Sequence, residues 1–266
     1  MQPSGVITFT TDFGHKGPFA GVMKGVVLSR FPRASIVDLG HEIPAHWPPE
    51  AGFWLSRAYQ YFPAGTVHLA IVDPGVGTER RILVVECDGH VFLAPDNGLL
   101  EPILAANPEA QVFALDLERL SGLGLNKPSL TFHGRDIFAP VAAEIAAGRL
   151  LPENTGERFA DWAPGWIDPP DSSDPERITG VIVTIDSFGN LISNIDQDML
   201  AHLDNPVAHI AGHDLPLRAT YGRATPGDYL ALINSFDVLE IARAEGSAAD
   251  GLGAERGAPV IVSATR

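Results

Sequence analysis

An aspartate and an arginine lie seven residues apart on one glycine-containing turn in the segment HLAIVDPGVGTERRILVV. Asp73 ends an apolar run, and Arg80 comes just before the next apolar run. A histidine, His133, lies in the segment TFHGRDIFAP, before a helix expected to begin near Asp136. A carboxylate, a guanidinium and a histidine that titrates near neutral pH can together hold a water molecule, deprotonate it and stabilise the developing hydroxide. These residue types therefore make water activation a candidate chemistry.

The same three residues also have ordinary structural explanations. An aspartate near an arginine is by default a structural ion pair. A histidine next to a helix is as easily structural as functional, and a motif stays a hypothesis until its structural context is known. Both interpretations remain open at this point, because the sequence does not show whether the three side chains meet in space.

Polar residues that could bind a ligand follow other predicted strands. Asp12 comes after the run VITFTTD, where it can accept hydrogen bonds from a sugar diol or simply cap the following turn or helix. Asp186 and Asn190 lie in TIDSFGNLISNI, which reads as a strand, turn and strand. The amide of Asn190 can pair with a purine edge or serve only the hairpin turn.

Three further candidates lie in the last 50 residues. Ser235 of the segment INSFDVLEIARAEGSAA can line a ligand or belong to a plain turn between strands. Tyr221 and Phe236 are expected as core or rim aromatics, although one flat ligand could contact both.

Signatures of other chemistries are missing from the sequence. Ligand-type side chains occur at Asp12, His15, Asp73, His133 and Asp136, but there is no HExxH, no paired CxxC and no DxDxDG. No metal is therefore expected. The chain also has no GxSxG nucleophile elbow, no GxxxxGK[ST] loop and no GxGxxG fingerprint.

Composition narrows the class of protein further. Eighteen Lys and Arg against 33 Asp and Glu leave a formal net charge of −15, which disfavours nucleic acid and anionic membranes as partners. No apolar run approaches the roughly 18 to 20 residues that a membrane span needs. The single cysteine, Cys87, and a start without a charged and apolar leader favour a cytoplasmic protein.

The elements that must position these residues fall into two parts. Residues 6–148 alternate β-branched runs with segments of helical period, which predicts an α/β domain with a mostly parallel sheet over 1–170. Residues 150–177 are rich in proline and turn formers and look linker-like. Short β-patterned runs follow, so residues 178–266 are expected to form a small all-β, barrel-like domain.

Taken together, the segments resemble the family of S-adenosylmethionine hydroxide adenosyltransferases, which is related to fluorinating and chlorinating enzymes that act on the same molecule. The resemblance runs through nearly the whole chain, over the segments FTTDFG, KGVV, VDPGVGTERR, APDNGLL, TFHGRDIFAP, IDSFGNLISNI, NSF and LEIA. It implies an α/β domain followed by a small β-barrel. It also implies a homotrimer with ligand sites between subunits, and S-adenosylmethionine as substrate with no further cofactor.

The resemblance assigns roles to the candidate residues. It implies that Asp73, Arg80 and His133 act together on water to give adenosine and methionine. The implied binding roles are the ribose hydroxyls for Asp12, the adenine edge for Asn190, and the methionine end for Asp186 with Ser235.

Two alternatives and two departures accompany this interpretation. The first alternative function is a halide-using, chlorinase-like enzyme, because Gly134, beside His133, leaves space that a halide could use. The second alternative is a non-catalytic module that binds S-adenosylmethionine. Halogenating relatives carry different residues at the Asp73 and His133 positions, which favours the hydroxide branch. The chain departs from the family pattern at Trp47 and at Asp237 with Val238, positions that are expected to affect the fine shape of the pocket.

Overall fold

In a computed structural model of the chain, which describes residues 2–125 and 127–264 apart from the side chain of Arg223, the first half is built on a seven-stranded sheet. Its strands are β1 (Val6–Thr11), β2 (Ser35–Gly40), β3 (Val67–Ile71), β4 (Ile82–Cys87), β5 (His90–Pro95), β6 (Gln111–Leu115) and β7 (Gly156–Arg158). The strand order is β2-β1-β3-β5-β4-β6-β7.

This sheet is mostly parallel, as the sequence predicts. Strands β2, β1, β3 and β5 pair in parallel, and β6 runs in the same direction because β4 is antiparallel to both β5 and β6. Only β4 and β7 run the opposite way among the described strands. The reversal at β4 has a local cause: Asp88 and Gly89 form a two-residue hairpin turn with positive φ at both positions, a conformation that the Asp-Gly pair favours.

Helices cover both faces of the sheet. They are α1 (Phe19–Arg30), α2 (Pro48–Ala58), α3 (Glu101–Ala106) and α4 (Ala139–Ala146). Alternate residues of β3 point to opposite faces, as strand geometry requires. Leu69 packs in the apolar cluster that contains Met23 of α1, and Ala70 packs in the cluster that contains Leu55 of α2. The core of this unit is therefore two layers, one on each side of the sheet.

The apolar side chains of α1 are only partly buried within this unit. Met23 and Val27 are fully buried, whereas Phe19 is 48% exposed and Val22 is 40% exposed. Phe19 packs edge-on against Phe132, so this side of α1 is only partly covered by the unit's own core.

Short β-patterned runs of the second half form a closed barrel. The strands are β8 (Asp171–Asp174), β9 (Arg177–Ile185), β10 (Leu191–Asp196), β11 (Val207–Ile210), β12 (His213–Arg218), β13 (Tyr229–Ile233), β14 (Val238–Arg243) and β15 (Pro259–Ser263). The order β10-β14-β13-β12-β11-β15-β9 closes through pairing of β9 with β10, and β8 adds to β9. Two short helices, α5 (Gln197–Leu200) and α6 (Ala248–Leu252), complete the unit. The barrel-like domain predicted from the sequence is confirmed.

The chain divides into two compact units, Met1–Trp166 and Ile167–Arg266. The linker-like segment 150–177 contributes to both. Its 3-10 turn Pro152–Asn154 leads into β7, which pairs with β6, and β8 pairs with β9 of the barrel. Nowhere in the described part of the chain is there a helix long and apolar enough to cross a membrane.

Candidate active site

Asp73 stands two residues beyond the end of β3. The carbonyl of Val72, the residue before it, accepts a 2.8 Å hydrogen bond from Asn97 Nδ2, which follows β5. Because β3 and β5 are parallel, this bond joins two neighbouring strand ends at one edge of the sheet. Asp73 therefore begins its loop from a fixed point, at the edge where ligands collect in parallel α/β sheets.

Glycine keeps the loop after Asp73 close to the rest of the unit. Gly77 has φ +80°, and a Cβ atom there would lie 2.1 Å from the carbonyl oxygen of Leu130. Only glycine fits such a close approach of two backbones. Leu130 lies three residues before His133, so this contact draws the Asp73 loop against the segment that carries the histidine.

Arg80 joins Asp73 to His133. Its Nε atom lies 3.0 Å from each carboxylate oxygen of Asp73, and Nη2 donates a further bond to Oδ2. The same Nη2 lies 2.9 Å from Nδ1 of His133. The side chains of Asp73 and Arg80 are only 5% and 11% exposed, and His133 is 9% exposed. The three residues that the sequence singled out thus form one hydrogen-bonded cluster.

The contact with Arg80 sets the protonation of His133. An arginine side chain only donates hydrogen bonds, so Nδ1 of His133 must accept the bond and carry no proton. Burial lowers the pKa of His133, the charge of Arg80 lowers it further, and Asp73 and Asp136 act in the opposite direction. His133 is therefore a neutral imidazole at pH 7, with its proton on Nε2.

His133 caps a helix that begins earlier than predicted. A π-helical turn, Gly134–Phe138, starts directly after His133 and runs into α4. The carboxylate of Asp136 accepts hydrogen bonds from the backbone amide of Ser129 and from Arg135 Nε, at 2.8 and 2.6 Å. Asp136 thus ties the start of this helix to the chain segment before His133 and fixes the position of the histidine backbone.

The space expected beside His133 is not open. A Cβ atom at Gly134 would lie 2.9 Å from Sδ of Met23 and 3.2 Å from the ring of Phe132. Gly134 is needed because α1 packs against this turn. The sequence interpretation that its missing side chain leaves room for a halide is therefore wrong.

Asp12 follows β1, at the same edge of the sheet as Asp73. Its Oδ2 accepts a 3.1 Å hydrogen bond from the backbone amide of His46, a residue with φ +64°. The preceding Thr11 is fully buried, and its hydroxyl lies 2.7 Å from Nδ1 of His41. Local contacts thus hold the Asp12 carboxylate at the end of its strand.

Asp186 and Asn190 form a tight hairpin turn in the barrel unit. Asp186 Oδ1 accepts from the backbone amides of Phe188 and Asn190, and its Oδ2 accepts from Asn190 Nδ2 at 3.0 Å. Asn190 is 8% exposed. One amide donor of Asn190 is therefore used within the turn, as the ordinary hairpin interpretation expects, while its side-chain oxygen takes no part in these bonds.

Tyr221 and the residue before Ser235 and Phe236 bond to a buried carboxylate, Glu240, which was not among the sequence candidates. Tyr221 is half exposed, and its hydroxyl donates to Oε1 of Glu240. Asn234, directly before Ser235, donates to Oε2 of Glu240 at 3.2 Å. The signal for Glu240 was present in the sequence, as one acidic residue inside the apolar run VLEIA of a predicted strand.

Metal ligands are not clustered in the described residues. Within 2–125 and 127–264, no group of three or more His, Cys, Asp or Glu side chains is arranged to hold a metal ion. The one cysteine, Cys87, is buried, and burial raises the pKa of its thiol to about 11.

An α/β unit with an Asp–Arg–His cluster at its strand ends, followed by a closed β-barrel, defines the class of this two-domain protein. Residues 7–156 match the family model described as the SAM hydroxide adenosyltransferase N-terminal domain, and residues 180–261 match the C-terminal domain of the same family. The chain belongs to the S-adenosylmethionine hydroxide adenosyltransferase family, which confirms the resemblance drawn from its motifs.

Individual relatives agree with this assignment. A Thermus thermophilus protein named (R)-S-adenosyl-L-methionine hydrolase is 35% identical, over 98% of this chain and 99% of the relative. A Thermotoga maritima crystal structure, described as an uncharacterized conserved protein, superposes with a TM-score of 0.87 at 32% identity, covering 97% of this chain and 99% of the other. A fluorinase from Actinopolyspora mzabensis is more distant, at 25% identity over 90% of each chain.

Proposed function

We propose that the chain hydrolyses S-adenosyl-L-methionine by attack of water at the 5′ carbon of the ribose, giving adenosine and L-methionine. The observation that carries this proposal is the guanidinium of Arg80, which binds Asp73 and His133 at once in a nearly buried cluster. The relatives named as S-adenosylmethionine hydrolases, similar over their full length, support the same reaction.

The reaction suits a site with few catalytic groups. Attack on the 5′ carbon breaks its bond to a sulfonium, and the leaving group departs as a neutral thioether that needs no proton. The water oxygen forms the new bond to carbon and gives up one proton. The protein's tasks are to align the water with the breaking bond and to lower the cost of removing that proton.

The protonation of His133 divides these tasks. With Nδ1 accepting from Arg80, the imidazole offers only its Nε2 proton, so it can donate a hydrogen bond to the water oxygen and cannot act as base. A carboxylate oxygen of Asp73 can accept more than one hydrogen bond. Asp73 is accordingly the group that takes the water proton, while Arg80 stabilises the hydroxide character and holds both partners.

Substrate contacts follow the family pattern. Asp12 binds the ribose hydroxyls, Asn190 the adenine edge, and Asp186 with Ser235 the methionine end, while Tyr221 and Phe236 line the site. No cofactor or metal takes part, because the sulfonium of the substrate already supplies the activated leaving group. The strand-end position of Asp12 and the side-chain oxygen of Asn190 support these roles.

Assembly and location belong to the same proposal. The chain forms a homotrimer with sites at subunit interfaces, and the partly covered side of α1, with Phe19 and Val22 exposed, supports contact with another copy. A cytoplasmic location is supported by the reduced, buried Cys87.

Product analysis tests the reaction. Purified protein is incubated with S-adenosyl-L-methionine, with and without chloride, and the products are separated by chromatography. Equal amounts of adenosine and methionine, unaffected by chloride, are expected. A 5′-chloro-5′-deoxyadenosine product would assign the chain to the halide-using reaction, and unchanged substrate bound at stoichiometry would assign it to a binding module.

A further inference from the structure

A carboxylate with almost no solvent exposure lies in the barrel wall. Glu240 is in the middle of β14 and only 3% exposed, although the residues on either side of it belong to the apolar core. Burial raises the pKa of Glu240, and the nearby charge of Asp186 acts in the same direction. Burying a carboxylate lowers the stability of the fold unless hydrogen bonds to its oxygens offset the lost hydration.

The two oxygens of Glu240 hold two different segments. Oε1 accepts the hydroxyl hydrogen of Tyr221, which lies in the short 3-10 turn Tyr221–Arg223. Oε2 accepts from Nδ2 of Asn234, which follows β13. One buried side chain thus links two stretches that are separate in the sequence.

Asn234 passes this constraint on to the turn 234–237. Its side-chain oxygen accepts from the backbone amide of Phe236 at 2.9 Å, and its backbone carbonyl accepts from the amide of Asp237 at 3.1 Å. Asp237 has φ +58°, in the left-handed region that residues other than glycine adopt uncommonly. The position of Ser235, within this turn, is therefore set by the side chain of Asn234, which is itself held in place by its hydrogen bond to Glu240.

We propose that Glu240 is a positioning residue for the amino-acid end of the substrate. Its buried carboxylate fixes Tyr221 and the turn 234–237, so that Ser235 is presented to the methionine moiety in one geometry. The inference rests on the proposed function, since it assumes that Ser235 meets that end of S-adenosylmethionine. Glu240 does not itself touch the substrate and acts through Asn234 and Tyr221.

Two variants of Glu240 remove its hydrogen-bonding capacity to different extents. Glu240→Gln keeps the side-chain shape and one acceptor oxygen, which can accept the hydrogen bond from Nδ2 of Asn234. The new side-chain NH2 group can donate to the hydroxyl of Tyr221, which then acts as acceptor instead of donor. Glu240→Ala removes both acceptors. The KM for S-adenosylmethionine is expected to stay within about threefold of the unaltered value in Glu240→Gln, which keeps both hydrogen bonds. It is expected to rise roughly 100-fold in Glu240→Ala, which loses both, with kcat changing less.

A truncated substrate separates positioning from general structural damage. The probe is 5′-deoxy-5′-(dimethylsulfonio)adenosine, which keeps the 5′ carbon, the sulfonium and the nucleoside but lacks the amino-acid chain. Its inhibition constant against S-adenosylmethionine is expected to be the same in both Glu240 variants as in the unaltered protein. Equal weakening of the truncated probe and of S-adenosylmethionine would overturn the proposal, because the damage would then reach the nucleoside site.

Controls make every outcome decisive. Glu255→Gln makes the same substitution at an exposed position of the barrel unit and is expected to leave KM unchanged. Thermal unfolding shows whether each variant is folded at the assay temperature. If the unaltered protein forms no adenosine, the proposed function fails, and calorimetric dissociation constants for S-adenosylmethionine and the truncated probe still test Glu240. An unchanged preference for S-adenosylmethionine over the probe in a folded Glu240→Ala variant would overturn the inference.

Discussion

Replacing Arg80 by alanine removes the side chain that joins the other two members of the cluster. The variant loses the bonds from Nε and Nη2 to Asp73 and the 2.9 Å contact to Nδ1 of His133. It leaves a carboxylate whose side chain is 5% exposed without its cation. The same change therefore affects stability, catalysis and the titration of His133.

The expected losses follow from burial and from the role of the guanidinium. Breaking a buried ion pair by removing one partner costs about 3–5 kcal/mol of unfolding free energy. Losing one preorganised charge stabiliser lowers turnover by about 10² to 10³. The charge of Arg80 lowers the pKa of His133, whereas Asp73 and Asp136 raise it. Removing Arg80 should therefore raise the pKa of His133. In an NMR titration of the imidazole, His133 should become protonated at higher pH in the variant than in the unaltered protein.

The assay measures adenosine formation under saturating substrate across a pH series, well below the unfolding midpoint of each variant. Arg81→Ala is the matched control, because the guanidinium of the neighbouring Arg81 lies 4.7 Å over the ring of Phe159 and contacts neither Asp73 nor His133 among the described interactions. Its turnover should stay within about threefold of the unaltered protein. Near-normal turnover of a folded Arg80→Ala variant, with an unchanged titration of His133, would refute the assigned role of the arginine.

Three further outcomes are expected from the same structure. Gly77→Ala places a Cβ atom 2.1 Å from the carbonyl oxygen of Leu130 and should lower both the unfolding midpoint and turnover. Its control is Gly25→Ala in α1, where nothing lies within 4 Å of the new Cβ, and this change should stabilise the protein by about 0.5–1 kcal/mol. Equal effects of the two changes in thermal unfolding would contradict the backbone contact. Burial lowers the pKa of His68 from 6.5 to about 3, so the unfolded chain binds the extra proton in this range. Unfolding free energy should then fall by up to about 1.4 kcal/mol per unit as pH drops from 6.5 towards 3. In denaturant titrations His68→Gln should flatten that slope and the exposed His213→Gln should not, and an unchanged slope in both would count against a neutral buried His68. Asp12→Ala should raise the KM for S-adenosylmethionine roughly 10-fold or more, because a nucleoside diol loses its carboxylate acceptor, and an unchanged KM would remove Asp12 from the binding site.

Much of the fold could be predicted from periodicity and turn chemistry. The alternation of β-branched runs and helical segments predicted the α/β unit, and the short runs after residue 178 predicted the barrel. The reversal at β4 was not predicted, although the Asp88-Gly89 pair carries its signal. Parallel pairing of β12 with β13 could not be anticipated either, because no local pattern distinguishes it from the antiparallel neighbours.

The candidate site shows where sequence reasoning ends. Residue types and motif order singled out Asp73, Arg80 and His133, but only tertiary structure brings a loop at residue 80 within hydrogen-bond distance of residue 133. The tautomer of His133 depends on that contact and was therefore beyond the sequence. Gly134 was misinterpreted as open space because the position of Met23 on α1 is a packing fact with no local signal.

The origin of the new oxygen is the decisive observation for this protein. S-adenosyl-L-methionine is incubated with the purified chain in ¹⁸O-labelled water, and the nucleoside and amino acid are examined by mass spectrometry. Water attack at the 5′ carbon predicts adenosine that carries ¹⁸O at its 5′ oxygen, together with unlabelled methionine. Adenosine without the label, or a 5′-halo nucleoside in its place, would contradict water activation by Asp73, Arg80 and His133.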